Sequence, residues 1–133
     1  MSEHGTSRSL NCISILDSHA AYEIARGTAE KDEAKQAEHF AKATIRINSA
    51  EDIDPHDINT WLVKALLLFK RNDFQRAKTQ FAAILNKAPD NVPALLGKAC
   101  IEFNNGDFAA SITLFKRALR VLPEDTAHVS RPL

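Results

Sequence analysis

An internal repeat is the feature that most constrains how this chain can fold. Residues 58–91 align without a gap on residues 92–125, and the same residue types recur at matching positions, one repeat period apart. The matching pairs are Lys64 with Lys98, Ala65 with Ala99, Phe69 with Phe103, Asp73 with Asp107, Phe74 with Phe108, Phe81 with Phe115, Leu85 with Leu119 and Pro89 with Pro123. Six of the seven phenylalanines fall in these pairs, so composition alone does not explain the match. Such a repeat indicates small structural units that stack on a shared core.

Apolar spacing within each segment predicts two helices joined by a polar turn. In the first segment an apolar stripe at helical spacing ends at Phe69, and a second stripe begins at Phe74. The intervening residues 71–73 are polar, and the second segment repeats this order. Capping and stop signals bound the helices, with N-cap candidates at Asp57 and at either Asp90 or Asn91, and stops at Pro89 and Pro123.

Residues 10–57 predict a degenerate first helix pair. Apolar residues recur at helical intervals in two stretches, namely Ile13, Leu16, Ala20 and Ile24, then Ala34, Ala37, Phe40, Ala41, Thr44 and Ile45. A turn is predicted between them over residues 27–31, and residues 49–56 lengthen the next connection. Residues 1–9 predict a disordered tail, and residues 126–133 a second tail with an abrupt end. The expected fold is all-α, a helical solenoid of about three antiparallel helix pairs, because helices this short need packed neighbours.

Residues at fixed offsets in the repeat match a known family. The first segment carries Trp61, Ala65, Asn72-Asp73-Phe74, Ala77, Phe81 and Pro89, and the second carries Leu95, Ala99, Gly106-Asp107-Phe108, Phe115, Ala118 and Pro123. This pattern resembles the tetratricopeptide repeat. The second segment departs from that family at Glu102, which is usually aromatic, and at Ser111, which is usually alanine. The resemblance implies stacked helix pairs in which the first helix of each pair lines a concave groove.

Longer motifs carry a closer resemblance over about residues 11–123. They are the run Ala-Pro-Asp-Asn-Val-Pro-Ala-Leu-Leu-Gly-Lys-Ala-Cys at residues 88–100, then residues 102–108 and 115–120, and more weakly residues 16–22 and 40–47. These motifs are similar to the tetratricopeptide subunits of the RNA polymerase II-associated factor (PAF) complex. The resemblance implies a non-catalytic protein-binding scaffold in the nucleus, with a role in transcription elongation and linked histone modification. It implies other subunits of the polymerase-associated complex as partners.

Composition excludes several other functional classes. Seventeen Lys and Arg residues balance seventeen Asp and Glu residues, so no basic excess favours direct binding to nucleic acid or to an anionic membrane. The two cysteines, Cys12 and Cys100, lie far apart and predict neither a disulfide framework nor a zinc site. Cys100 is expected to be partly buried, and Glu38 and His39 to form a surface pair. The acidic stretch from Glu51 to Asp57 predicts a solvated connection with a helix cap. No catalytic residue, metal site or cofactor is expected.

The first helix of each repeat supplies the candidate partner-binding residues. By the offsets that the family resemblance implies, the first helix of each of the two repeats lines the groove. Gly97 is expected among the lining residues as well. The predicted partner-binding residues are Asn59, Leu62, Val63, Leu66, Phe69, Leu96, Cys100 and Phe103. Apolar side chains dominate this set, which favours an apolar or helical segment of a partner. The alternative is that some of these residues contact other helices of the same array.

Other functions remain as alternatives to the scaffold. A generic tetratricopeptide adaptor or co-chaperone that grips a C-terminal carboxylate needs Lys, Asn and Arg in the groove, where this chain has Leu62, Leu66 and Gly97. A small enzyme that uses Cys100 or the acidic connection lacks a supporting motif. A truncated product without independent function is a third alternative. The helix from Phe108 to Leu122 is apolar on more than one face, so we expect an exposed patch there that favours self-association.

Overall fold

The computed structural model describes the backbone of residues 2–122 and the side chains of residues 12–122. Within residues 2–122, six α-helices follow one another: α1 (Ser2–Ala29), α2 (Glu33–Ile53), α3 (Ile58–Lys70), α4 (Phe74–Lys87), α5 (Val92–Asn104) and α6 (Phe108–Val121). Residues 2–122 contain no strand, which confirms the all-α prediction. The helices group into two units, residues 1–77 and residues 78–133, and the boundary falls inside α4.

The amino-terminal helix differs from its sequence-based prediction at both ends. A disordered tail was expected over residues 1–9, whereas α1 begins at Ser2. These residues contain no proline, so nothing in them interrupts a helix that extends from the apolar stretch that follows. A turn was expected from Gly27, whereas α1 continues to Ala29. Gly27 instead allows close packing, since a Cβ atom there would lie 2.6 Å from Cε1 of Phe40. The predicted tail over residues 126–133 lies outside the described residues.

The core of the first unit joins α1, α2 and α3. It contains Ala20, Ile24, Phe40, Ala43, Ile47 and Leu67, and Val63 packs against this cluster. Alanines with no exposed surface at positions 20 and 43 allow the helices to approach closely. The helix α3 contacts both α1 and α2, and its exposed residues are Asn59, Leu66 and Lys70.

The second unit is built around α5. Ala94, Leu95, Ala99 and Ile101 of this helix are buried, as are Ser111 and Ala118 of α6. The Ser111 hydroxyl donates a hydrogen bond of 2.9 Å to the carbonyl oxygen of Ala99. The ring of Phe81 in α4 lies directly against Gly97, where any side chain would collide with it. Gly97 was expected in the groove, so its position against α4 corrects that expectation.

The turns after α3 and α5 have the same backbone geometry. In the first turn, the Asn72 amide donates to the Phe69 carbonyl oxygen at 3.0 Å and the Asp73 amide to that of Leu68 at 2.9 Å. The second turn repeats both bonds at the same lengths, one repeat period later in the sequence. This bonding pattern is a Schellman motif, which places one residue in the left-handed region. That residue is Asn72 in the first turn, with φ of 64°, and Gly106 in the second, with φ of 86°.

The predicted helix caps are found at most of the expected positions. The Asp57 side chain accepts a hydrogen bond from the Thr60 amide, and Asn91 rather than Asp90 caps α5 by accepting from the Ala94 amide. The helix α4 ends at Lys87, before Pro89, whereas Pro123 lies outside the described residues. None of the helices in the described part of the chain is long and apolar enough to cross a membrane.

Candidate protein-binding surface

The five candidate residues of α3 form one face of that helix, which we call the α3 face: Asn59, Leu62, Val63, Leu66 and Phe69. Asn59 is exposed, and Leu66 retains 37% of its side-chain exposure. Val63 is half-buried because it packs against the core of the first unit. The Phe69 ring meets the Phe74 ring edge-on, with centroids 5.3 Å apart. The α3 face therefore combines exposed residues with residues that also support the fold.

The three candidate residues of α5 form the α5 face, which is more exposed: Leu96, Cys100 and Phe103. Leu96 is 38% exposed and Phe103 56% exposed. Cys100 was expected to be partly buried, and that expectation is wrong, because its side chain is exposed. The buried stripe of α5 contains Leu95, Ala99 and Glu102 instead. Cys100 follows Ala99 in the sequence but lies on the adjacent face of the helix, outside that stripe.

A surface cavity of about 340 Å³ adjoins the α3 face. Its lining comes from two helices, with Ser14, Asp17, Ser18 and Ala21 of α1 opposite Asn59, Leu62 and Val63 of α3. Three of the predicted partner-binding residues therefore share one concavity with residues of α1. The α1 contribution was missing from the sequence-based prediction.

A buried carboxyl group lies at this cavity. Asp17 is 7% exposed, and the Thr60 hydroxyl lies 2.8 and 3.0 Å from its two carboxylate oxygens. The same hydroxyl lies 3.0 Å from Oδ2 of Asp57. A hydroxyl has one proton to donate, so it cannot satisfy both carboxylates at once. Burial raises the pKa of Asp17 to about 6, against the lowering effect of the Thr60 hydrogen bond and with a smaller raising effect of the Asp57 charge.

Helical periodicity alone indicates that Asp17 faces the core, although a search for apolar residues passes over this position. Positions 13, 17, 20 and 24 lie on one helical stripe, and Ile13, Ala20 and Ile24 on that stripe are buried. Asp17 occupies the remaining position of a core-facing stripe, where an ionisable residue needs a partner. The same reasoning applies to Glu102, which follows Leu95 and Ala99 on the buried stripe of α5.

Other acidic side chains pair with basic side chains of the same unit. Nδ1 of His39 lies 2.7 Å from Oε2 of Glu23, and the hydrogen bond from His39 holds the pKa of Glu23 below its usual value. His39 was expected to pair with Glu38 at the surface, but Glu38 lies 3.7 Å from Nζ of Lys42 instead. In the second unit, Nζ of Lys78 lies 2.7 Å from Oε1 of buried Glu102.

The acidic stretch before α3 is engaged in structural contacts. Nζ of Lys64 lies 3.3 Å from Oε2 of Glu51, and Asp54 accepts a hydrogen bond from the His56 amide at 2.9 Å. Asp57 caps α3. Across the described residues, His, Cys, Asp and Glu side chains form no group of three or more suited to holding a metal ion.

Comparison with known proteins identifies the repeat family to which the helices that carry this surface belong. Residues 62–126 match the family model of the tetratricopeptide repeat. Together with the paired helices and the repeated turns, this match shows that the chain contains a tetratricopeptide-repeat region. The fold class predicted from the sequence is therefore confirmed.

Particular relatives are the CTR9 proteins. The chain is 43% identical over 111 residues, 84% of its length, to "Protein CTR9 homolog" of Arabidopsis thaliana. It is 36% identical over 110 residues, 79% of its length, to "RNA polymerase-associated protein CTR9" of Caenorhabditis elegans. The chain spans about a tenth of the length of each of these relatives, since the match covers 10% of both. The resemblance inferred from the sequence motifs is confirmed by these similarities.

Proposed function

We propose that this protein is a non-catalytic scaffold that binds other proteins in an assembly associated with RNA polymerase II. The similarity to CTR9 proteins over most of the chain carries this proposal, because one of these relatives is named for its association with RNA polymerase. The tetratricopeptide-repeat region supports it, since helical repeats of this kind present extended surfaces to partners. The proposed location is the nucleus.

The α3 face and the α5 face are the proposed contact surfaces. Leu66, Leu96 and Phe103 are each more than a third exposed, so they are available without loss of core packing. Exposed apolar side chains of this size commonly mark interaction sites. The proposed partners are other subunits of the polymerase-associated complex, and the proposed roles are transcription elongation and the histone modification linked to it.

Capture from nuclear extract tests this function. The full chain is immobilised, and bound RNA polymerase II and its associated factors are measured by immunoblot and mass spectrometry. We expect capture by the unmodified chain and at least a tenfold loss with Leu66→Glu or Phe103→Glu, because a charge at the centre of an apolar interface is costly. Ile45→Glu is the matched control, since Ile45 is 57% exposed on α2, outside both faces.

The capture experiment includes a control for folding and two outcomes that would contradict the proposal. All three variants should keep the helical circular dichroism of the unmodified chain, because all three positions are at least 37% exposed. Equal capture by Leu66→Glu, Phe103→Glu and Ile45→Glu would contradict the proposed contact surfaces. Failure of the unmodified chain to capture any polymerase-associated protein would contradict the proposed function itself.

The last described helix provides a second exposed apolar surface, for which we propose self-association. Phe108, Ile112 and Leu119 of α6 are 54%, 52% and 68% exposed, and with Phe115 they lie on one helical stripe. Sedimentation over a range of protein concentrations tests this. A rising mean mass that the double variant Ile112→Glu, Leu119→Glu abolishes is expected, and a constant monomer mass would contradict it.

A further inference from the structure

The cavity beside the α3 face has an unusual combination of walls. Ala21, Leu62 and Val63 give it apolar sides, and Ser14, Ser18 and Asn59 add neutral polar groups. Among the described residues that line it, the only charged side chain is Asp17, which is more than nine-tenths buried. A surface concavity with apolar sides and a carboxylate in its wall is suited to a ligand with an aliphatic stem and a positive end.

The negative charge at this cavity has little compensation from the chain itself. Asp17 and Asp57 both approach the single hydroxyl of Thr60. Within residues 12–122, no Lys, Arg or His side chain lies within ion-pair distance of Asp17. By contrast, the other two buried acidic side chains in this range, Glu23 and Glu102, each have a cationic or ionisable partner at 2.7 Å. Asp17 is thus the exception among the buried acids.

We propose that this cavity receives the side chain of a lysine or arginine from a partner protein. This inference rests on the proposed protein-binding function and adds the chemistry of the residue that the surface recognises. The aliphatic stem packs against Leu62 and Val63, and the cationic group meets the Asp17 carboxylate. The partner's charge supplies the compensation that the chain lacks, and partial desolvation strengthens this attraction relative to a surface pair.

The proposed geometry also explains why the α3 face is less apolar at its start than further along. Asn59 stands at the cavity, whereas Leu66 and Phe69 lie two to three turns later on the same face. A bound segment would place its basic residue near Asn59 and an apolar residue near Leu66. Recognition by this face therefore requires both a charge and an apolar contact, which is more selective than an apolar contact alone.

Nuclear magnetic resonance with a matched pair of peptides tests this inference. The first peptide is acetyl-Ala-Leu-Lys-Leu-Ala-amide, and the second has norleucine in place of lysine, which keeps the stem and removes the charge. Each is titrated into the full isotope-labelled chain at pH 7.5. We expect saturable shifts of cavity amides such as Ser18, Asn59 and Leu62, with at least tenfold tighter binding of the lysine peptide.

Two variants separate the charge from the fold. Asp17→Asn keeps an oxygen that accepts from Thr60 and removes the charge, so the preference for lysine should disappear. Asp52→Asn removes one charge at an exposed position of α2 and should leave the preference unchanged. Equal binding of the two peptides, shifts confined to other residues, or no saturable binding by the unmodified chain would each overturn the proposal.

The same variants distinguish this inference from the proposed function. In the nuclear-extract capture, Asp17→Asn should reduce bound polymerase-associated protein at least fivefold, and Asp52→Asn should not. Full capture by Asp17→Asn would leave the scaffold function intact and overturn the cavity proposal. Lysine-selective peptide binding without any capture from extract would support the cavity and contradict the polymerase-associated function.

Discussion

The two tetratricopeptide-like segments share their backbone but not their burial. The helices α3 and α5 begin one repeat period apart, end in the same hydrogen-bonded turn, and are followed by the same edge-on contact of two phenylalanine rings, at 5.3 Å and 5.1 Å between centroids. Phe69 and Phe74 are half-buried in the first segment, whereas Phe103 and Phe108 are more than half exposed in the second. Local signals therefore determine where helices begin and end, and neighbouring helices determine which side chains are buried.

The units also differ in how they use buried polar groups. In the first unit, Asp17 bonds to Thr60, 43 residues later in the sequence, and Glu23 bonds to His39, so polar contacts tie α1 to α3 and to α2. In the second unit, buried Glu102 pairs with Lys78, whose side chain is 39% exposed. Buried hydrogen bonds require specific partners, so the polar groups of the first unit fix the arrangement of three helices at once.

The largest expected contrast concerns two phenylalanines at equivalent positions of the repeat. Phe81 is 5% exposed, whereas its counterpart Phe115 is 36% exposed. Phe81→Ala should lower the free energy of unfolding by about 3 to 5 kcal/mol, because it leaves a cavity against Gly97. Phe115→Ala should cost less than about 1.5 kcal/mol. Urea unfolding of both variants measures this difference. Equal losses of unfolding free energy would show that the position within the repeat, and not the neighbouring helices, determines how much each phenylalanine contributes to stability.

The next effect is a pH dependence that originates in the first unit. The pKa of Asp17 is raised to about 6 in the folded chain, so between pH 4 and pH 6 the folded state holds a proton that the unfolded state has released. Stability should therefore fall as pH rises through this window, by about 2 to 3 kcal/mol from this group, and change little above it. Urea midpoints from pH 4.5 to pH 7.5 measure the decline.

Asp17→Asn is the variant that isolates this contribution. It should remove the decline between pH 4.5 and pH 6.5 while the helical content is retained. The Glu23 carboxyl acts in the opposite sense, because its pKa is lowered, so its contribution is lost as pH falls through the acidic range. A decline of the same size in Asp17→Asn would assign the effect to another group.

The smallest expected effect compares the two turns. Gly106 has φ of 86°, and a Cβ atom at this position would meet no other atom within 4 Å, so only the backbone angle opposes a substitution. Gly106→Ala should cost about 1 kcal/mol. Gly106→Asn should cost less, because Asn72 adopts φ of 64° at the equivalent position. Equal costs for the two substitutions would mean that the turns are not equivalent in energy.

Sequence reasoning predicted the helices well where the signals were local. The caps at Asp57 and Asn91, the polar turns and the small residues Ala65 and Ala99 were all visible as patterns, and both alanines are buried. Gly27 was misread as a turn because glycine also serves close packing, and only the position of Phe40 on α2 distinguishes the two roles.

The candidate surface was predictable only in part. The α3 face follows from repeat offsets, and helical periodicity places Asp17 on a buried stripe. Its contact with Thr60, 43 residues later, is not encoded by any local pattern. The exposure of Cys100 was missed because its neighbours Ala99 and Ile101 are buried, and the choice between adjacent helix faces depends on where α6 packs. The partner-binding role of the α3 and α5 faces remains a prediction.

Amide hydrogen exchange on the full chain measures how strongly the helices of the first unit and the last described helix are held in place. Exchange protection reports the free energy of local opening. We expect the strongest protection in the central turns of α1, α2 and α3, whose side chains share one core, and markedly weaker protection in α6, whose apolar stripe is exposed. Protection in α6 equal to that in α1–α3 would contradict this account.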